Sequence, residues 1–511
     1  MQATPAVADD GAVARSAGRG GLAVTFAKVY FILLGLVQQW ALPRVLGLEG
    51  YGALSRVLSM ASIAYNPVTT TSIQGVSRAI TQASPVDQPA VVRRVLSVHA
   101  AFAVLLSAAF FLLAPVLGEA TGASHVLRGL QILSAVMLLY GLYTPLIGVL
   151  NGQRRFLLQA GLDMTAATLR TTGLIVGALS FSKGFGVEGA TTGFVLSALA
   201  VLLFALSVVG IGRRGVGGLS VGAHLQFVAP ILFGQVLLNL LLQADLQLLG
   251  RFATQAATSA NLPASAADSL VGAYRQTQLF SFLPYQILIA LTFILFPMLA
   301  GAVHAGDHEA VKRYVKTGVR LAMLIAGAMV TVTAGLSGPL LTLIFSAESA
   351  RLGARALELL AIGFGVFAIF GVLTAVLNSL GRERYSVLIT GLAVALVAIL
   401  CFVRVRGGEL GEPLLIRTAQ ATTTGLFVAA LGAALLVHRV AGAVVAPLTF
   451  VRVVASLAAV VVVAHQLPAP GKMMTLVYAA CLPLAYIVLL LLSRELSKAD
   501  LELVRAVLRR R

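Results

Sequence analysis

The sequence predicts an all-α, polytopic membrane protein of about fourteen transmembrane helices, built as two six-helix lobes and two further C-terminal helices. Three observations predict it. Only 11% of the 511 residues are charged and 59% are hydrophobic, whereas a soluble chain carries about 25% charged residues to face water. Fourteen runs are long and apolar enough to cross a bilayer, which takes about 20 residues of helix. The two halves of the chain also echo each other at matching spans.

The spans fall near 21–42, 52–81, 95–117, 127–150, 159–181, 187–211, 224–250, 271–299, 318–345, 356–380, 386–403, 414–437, 449–466 and 474–492. Residues 1–20, rich in Ala and Gly, read as a disordered cytoplasmic tail. The first lobe is expected over 21–211, the second over 224–437, and the extra pair over 449–492. Leucines and valines among Arg494, Lys498, Arg505 and Arg509–Arg511 make 493–511 an amphipathic tail suited to an anionic leaflet, or a solvated basic one. No segment is long and polar enough for a soluble domain.

Net charge is +18, which in a soluble chain would suggest nucleic acid. Here the basic residues come in small groups between apolar runs, as in Arg93-Arg94, Arg154-Arg155 and Arg213-Arg214. Loops that stay in the cytoplasm keep Lys and Arg. With both termini inside, the cytoplasmic side holds about twice the Lys and Arg of the outer side. That sets the expected orientation and leaves no case for nucleic acid.

The internal repeat rests on short motifs. Leu150-Asn151-Gly152-Gln153-Arg154-Arg155-Phe156 follows the fourth span, and Leu377-Asn378-Ser379-Leu380-Gly381-Arg382-Glu383-Arg384-Tyr385 follows the tenth. Each holds an Asn at a helix end, a Gly, a basic pair and an aromatic. Tyr51-Gly52-Ala53-Leu54 on the second span is echoed by Val271-Gly272-Ala273-Tyr274 on the eighth. The two separations differ by less than one loop, so the pattern is six spans, six spans and two. Transporters are commonly built from such repeats.

With that pattern, the run Pro43-Arg44-Val45-Leu46-Gly47-Leu48-Glu49-Gly50-Tyr51-Gly52 and the stretch Gly75-Val76-Ser77-Arg78 resemble the polysaccharide-transporter branch of the multidrug/oligosaccharidyl-lipid/polysaccharide exporter superfamily. The resemblance covers essentially the whole chain. It implies a flippase for an undecaprenyl-pyrophosphate-linked oligosaccharide in a bacterial inner membrane, working by alternating access through a central, often cationic, cavity. It further implies membrane lipids, a glycan polymerase and glycosyltransferases as working partners, in polysaccharide or lipopolysaccharide biosynthesis. Lipid II flippases and multidrug/cation antiporters are the related alternatives.

Charges within spans are costly, by about 2.5–3.5 kcal/mol on insertion scales, and each needs a reason. Arg170 lies mid-span, with Asp163 two turns earlier and Gly173 and Gly177 on the same face. It is expected either to pair with a pyrophosphate or to be a structural partner of Asp163. The second span carries a polar arc of Arg56, Ser59, Asn66, Thr70, Gln74, Ser77 and Arg78. Arg56 and Arg78 lie about 33 Å apart along a helix, so they either line the cavity or anchor the two ends.

Lys28 and Gln39 share one face of the first span, Gln235, Asn239 and Gln243 recur every four residues on the seventh, and Arg275 heads a polar face on the eighth. Together these polar faces are expected to line a wet, substrate-binding cavity, the alternative for each amide being a hydrogen bond between helices. Asp163 and Asp245 are the carboxylates at depth and the candidates for ion coupling. Asp245 is read as lying towards the outer end of its span, near Arg251.

Nothing in the sequence forms an enzyme constellation. GxxxxGK[ST] is absent, the two cysteines lie in separate apolar runs, and the seven histidines fall on loops and helix ends. No cofactor or metal is expected. A membrane polysaccharide polymerase, the enzymatic alternative, would need a large outer loop with acid and base residues, and 252–270 supplies only Asp268.

Overall fold

The structure, a computed structural model, describes residues 10–181, 184–213, 215, 219–468 and 470–496. Among them it holds fifteen α-helices and no strand. The helices are α1 Asp10–Gln82, α2 Gln88–Ala120, α3 Leu127–Gly152, α4 Phe156–Ser180, α5 Gly186–Val209, α6 Val221–Ser259, α7 Asp268–Ser281 and α8 Leu283–His304. They continue as α9 His308–Gly335, α10 Ser337–Ile344, α11 Ala347–Ser379, α12 Glu383–Val405, α13 Glu412–Ala441, α14 Pro447–Gln466 and α15 Lys472–Leu492.

Twelve helical stretches are long and apolar enough to span a membrane. Counting α1 as two spans and adding α4 recovers the fourteen. The chain is a multi-pass membrane protein. The first two expected spans run end to end in α1 and meet at Gly47, whose φ of 71° is left-handed and open to glycine without a steric cost. Tyr51 Oη donates to Gln39 Oε1 across that bend. Asp163, Arg170 and four threonines dilute the hydropathy of α4, which is not among the twelve. The eighth expected span is broken at Phe282 and the ninth at Leu336, each into two helices.

The chain divides into two compact units, Met1–Gln243 and Ala244–Arg511. The boundary falls inside α6, not in the connection before it. α1 also begins at Asp10, within the stretch expected to be a disordered tail. Residues 1–9 and most of the expected amphipathic tail, 497–511, lie outside the described residues.

In the first unit, Leu54, Val57, Leu130, Leu133 and Phe194 are fully buried where α1, α3 and α5 pack. α4 and α5 approach through glycines. A Cβ on Gly173 would stand 2.4 Å from Gly193 O, and one on Gly177 would stand 2.2 Å from Gly189 O. In a membrane there is no hydrophobic drive between helices, so close backbone contact through small residues supplies the association instead. Ser197 Oγ adds a hydrogen bond of 2.7 Å to Leu169 O across the same crossing. Away from these faces large apolar side chains point outward, Leu112 being 73% exposed, as a lipid-facing surface requires.

In the second unit, Phe282, Tyr285, Phe364, Phe367 and Phe370 stack into an aromatic spine between α8 and α11. The two extra helices are fastened to α9. Gly327 leaves room for Tyr486 Oη. Buried Glu495 accepts from Arg320 Nε at 2.9 Å and from Thr449 Oγ1 at 3.0 Å, and pairs with Arg452 at 3.5 Å.

Candidate functional site

In the first unit a buried charge, Arg170, is walled by aromatic rings. α4 brings the guanidinium to 5.1 Å from the Phe194 ring of α5. Tyr65 of α1 and Tyr140 of α3 complete the walls, with Tyr140 and Phe194 centroids 5.7 Å apart and Tyr65 and Tyr140 5.9 Å apart. Both phenols lie within electrostatic reach of Arg170. A cation over aromatic faces gains about 0.5–2 kcal/mol, the upper end applying when it is desolvated. That does not replace hydrogen bonds, and Arg170 Nε is buried with no partner among the described residues. On the face of α3 that carries Tyr140, Tyr143 Oη and Thr144 Oγ1 are also buried and unpartnered.

Asp163 does not neutralise Arg170. Among the described residues no ion pair joins them. Its neighbours are Gln159, one turn away and a hydrogen-bond partner, and Lys28, which acts on it electrostatically. Gln159 Oε1 in turn accepts from Asn151 Nδ2 at 3.0 Å, and Asn151 Oδ1 accepts from Ser77 Oγ at 2.7 Å. The Asn that marks the repeat in sequence thus orients a polar chain that ends at Asp163. Gly173 and Gly177 face α5, so the close approach they permit is to a neighbouring helix.

The remaining candidates go elsewhere. Arg56 is 1% exposed and donates Nη1 to Gly122 O at 3.2 Å and Thr121 O at 3.4 Å, the carbonyls that close α2. A cation at a helix C-terminus satisfies orphan acceptors and the dipole. Gln39 ties the two arms of α1. Arg78 is exposed and stacks 4.0 Å from the Phe227 ring. Asn239 Oδ1 accepts from Asn66 Nδ2 at 3.1 Å, and Gln243 Oε1 accepts from Ser59 Oγ at 2.7 Å. The polar arcs of the second and seventh spans therefore face each other. Gln235 supplies a backbone carbonyl to Asn239.

In the second unit, Arg275 Nη1 donates to Gln278 Oε1 at 3.0 Å, and the amide of Gln278 donates to Asp245 at 3.1 Å. Asp245 is not superficial: it is 1% exposed. It also accepts from Tyr274 Oη at 2.8 Å, from its neighbour's backbone at Leu246 N at 2.8 Å, and from Thr422 Oγ1 at 3.4 Å. Every one of these donors is neutral. Four neutral donors meet this carboxylate, and its burial makes the charge costly. A separate cavity of about 970 Å³ at the end of α6, lined by Arg251, Phe402 and Arg406, contains none of the residues expected from sequence.

The expected site residues thus divide. Lys28, Asp163 and Arg170 stand along α1 and α4 of the first unit, while Arg275 and Asp245 belong to the second. Sequence reasoning missed Tyr65, Tyr140, Tyr143 and Phe194, which read as ordinary apolar-run aromatics. The i, i+3, i+4 placement of Tyr140, Tyr143 and Thr144 was the available signal. Among the described residues no three His, Cys, Asp or Glu side chains gather as metal ligands.

A family model described as polysaccharide biosynthesis protein matches residues 17–303. Among solved structures, the lipid II flippase MurJ in an inward closed conformation superposes with a TM-score of 0.74 at 12% identity, covering 92% of this chain and 99% of that one. An inward-facing multidrug resistance MATE family transporter of the MOP superfamily gives 0.62 at 19% identity, covering 80% and 95%. A MOP superfamily transporter from Pyrococcus furiosus gives 0.58 at 15% identity, covering 83% and 96%. No curated protein matches the chain.

Proposed function

The chain belongs to the polysaccharide biosynthesis protein family, and from that membership we propose that it is a flippase for a lipid-linked, anionic oligosaccharide. The cargo is an undecaprenyl-pyrophosphate-linked saccharide, moved across the bacterial inner membrane by alternating access. The observation that carries this reading is Arg170: a guanidinium at mid-span, walled by aromatic rings, with a buried donor that no described residue uses. Arginine matches a phosphate or pyrophosphate through two parallel hydrogen bonds, and the energy is large where water is excluded. The aromatic walls offer faces for sugar rings or an isoprenoid chain, and Tyr143 and Thr144 offer hydroxyls.

Asp245 is the candidate coupling group, since its all-neutral shell favours a proton or a small cation as counter-charge. The charge bias of the loops supports cytoplasmic termini, and reporter fusions after residues 155 and 384 should read cytoplasmic while one after 260 reads periplasmic.

A lipid II flippase is the second reading, favoured by the full-length likeness to MurJ. The deciding experiment reconstitutes the protein in proteoliposomes with fluorescent undecaprenyl-pyrophosphate oligosaccharide or with lipid II, and follows exposure of each at the outer face. Movement of the oligosaccharide lipid, lost in Arg170→Ala, is expected. Movement of lipid II alone would replace the first reading with the second.

A further inference from the structure

The first turns of α6 are fastened to α1 and α2 by a chain of buried polar side chains that the proposed transport site does not use. Ser72 Oγ of α1 lies 3.0 Å from His99 Nδ1 of α2, and His99 Nε2 lies 3.2 Å from His224 Nε2 of α6. All three are buried, at 1%, 6% and 6% exposed. The imidazoles meet edge to face with centroids 5.4 Å apart. The seat is cut to fit: a Cβ on Gly75 would strike Val228 at 2.6 Å and meet His224 Cε1 at 3.3 Å. The sequence separates the two histidines by more than a hundred residues, so only the fold pairs them.

The pair can hold a limited number of protons. With both rings neutral, one Nε2–H donates to the other Nε2, and the Ser72 hydroxyl serves His99 Nδ1. One added proton keeps that bond, because an imidazolium still donates through Nε2 while Ser72 Oγ turns to accept from Nδ1–H. A second proton places hydrogens on both facing nitrogens. Neither can then accept, and two cations stand within hydrogen-bond distance in a buried site. Arg78 of α1 is the charged group that acts on His224. Among the described residues no carboxylate acts on either ring to offset the second charge.

We propose that His99 and His224 form a proton-binding site whose second proton releases the first turns of α6 from α1 and α2. The docking of that helix is thereby tied to proton uptake, whichever lipid-linked cargo the protein moves. Histidine suits the task because its charge changes near physiological pH.

The test needs no substrate. Trp40 is the single tryptophan of the chain, so Trp40→Phe with Phe227→Trp puts one emission reporter on the first turns of α6. In nanodiscs titrated from pH 8 to 4, a reversible red shift that follows uptake of the second proton is expected. Adding His224→Gln, which keeps a neutral hydrogen bond and cannot titrate, should abolish the shift or move it by more than tenfold in proton concentration. Hydrogen exchange of residues 221–230 in the otherwise unaltered chain, with and without His224→Gln or His99→Gln, gives a readout free of the reporter. An acid transition that persists unchanged in the glutamine variants, or none in the parent, would overturn the proposal.

Discussion

Asn66 of α1 and Asn239 of α6 meet amide to amide, Nδ2 donating to Oδ1 at 3.1 Å. On one side of this pair Ser59 meets Gln243, and on the other Gly75 faces Val228 and Arg78 covers Phe227. As the number rises on α1 it falls on α6, so the two helices run antiparallel with polar pairs spaced along the seam. Asn239 and Gln243 of the amide stripe thus make interhelical hydrogen bonds.

That seam should be measurable as pairwise coupling. Ser59→Ala and Gln243→Leu each remove one side of a 2.7 Å bond. A double-mutant cycle on detergent unfolding should return about 0.6 kcal/mol, the average such bonds give in a membrane protein, and no more than about 1.7 kcal/mol. Strict additivity of the two substitutions would show that the pair contributes no stability.

The glycine crossing of α4 and α5 predicts opposite signs at Gly193 of α5, inside the crossing, and Gly161 of α4, outside it. Gly193→Ala puts a methyl 1.9 Å from Gly173 O, and overpacking of this kind costs about 1–3 kcal/mol. Gly161 on α4 has nothing within 4 Å of an added Cβ. There alanine should be neutral or stabilise by up to about 1 kcal/mol through helix propensity. Thermal unfolding followed by size-exclusion chromatography compares the two, and equal losses at both positions would remove close packing as the cause.

Asp245 separates structure from coupling. Asp245→Ala strands Tyr274 Oη and the Gln278 amide in a buried place, at a cost of about 1–3 kcal/mol per group. Asp245→Asn preserves the shape and removes the charge. Abundance near normal for Asp245→Asn, with transport that no longer responds to an imposed proton or sodium gradient, is the expected pattern. If Asp245→Asn retains the gradient dependence, coupling lies elsewhere.

The all-helical membrane architecture was legible because it rests on hydropathy summed over long runs, where single residues matter little. Helix breaks were less so: Gly47 bends α1 and Phe282 and Leu336 interrupt two spans, though apolar character runs straight through all three. Arg170, Asp163 and Asp245 were legible as candidates because burying charge in a membrane is costly wherever it occurs. Their partners were not. Which neighbour meets Arg170 depends on how α1, α3 and α5 pack around α4, and Tyr65, Tyr140 and Phe194 carry no polar signal strong enough to stand out in an apolar run. His99 and His224 looked scattered for the same reason, since only three-dimensional packing brings α2 and α6 together.

Arg170 decides the proposed function, and its surroundings change what each variant should do. With Asp163 engaged by Gln159 and facing Lys28, removing Arg170 leaves no carboxylate uncompensated. Arg170→Ala should therefore keep membrane abundance near normal while glycan export is lost. Arg170→Lys should restore a part, because an ammonium supplies charge without the two-pronged geometry. Tyr143→Phe, which deletes a buried unpartnered hydroxyl, should leave stability unchanged or raise it, and should weaken export only if that hydroxyl meets the cargo. The exchange Asp163→Arg with Arg170→Asp should fail to restore function, since no ion pair joins the two positions. Rescue by the exchange would return Arg170 to a structural role, and full export by Arg170→Ala would remove it from cargo binding altogether.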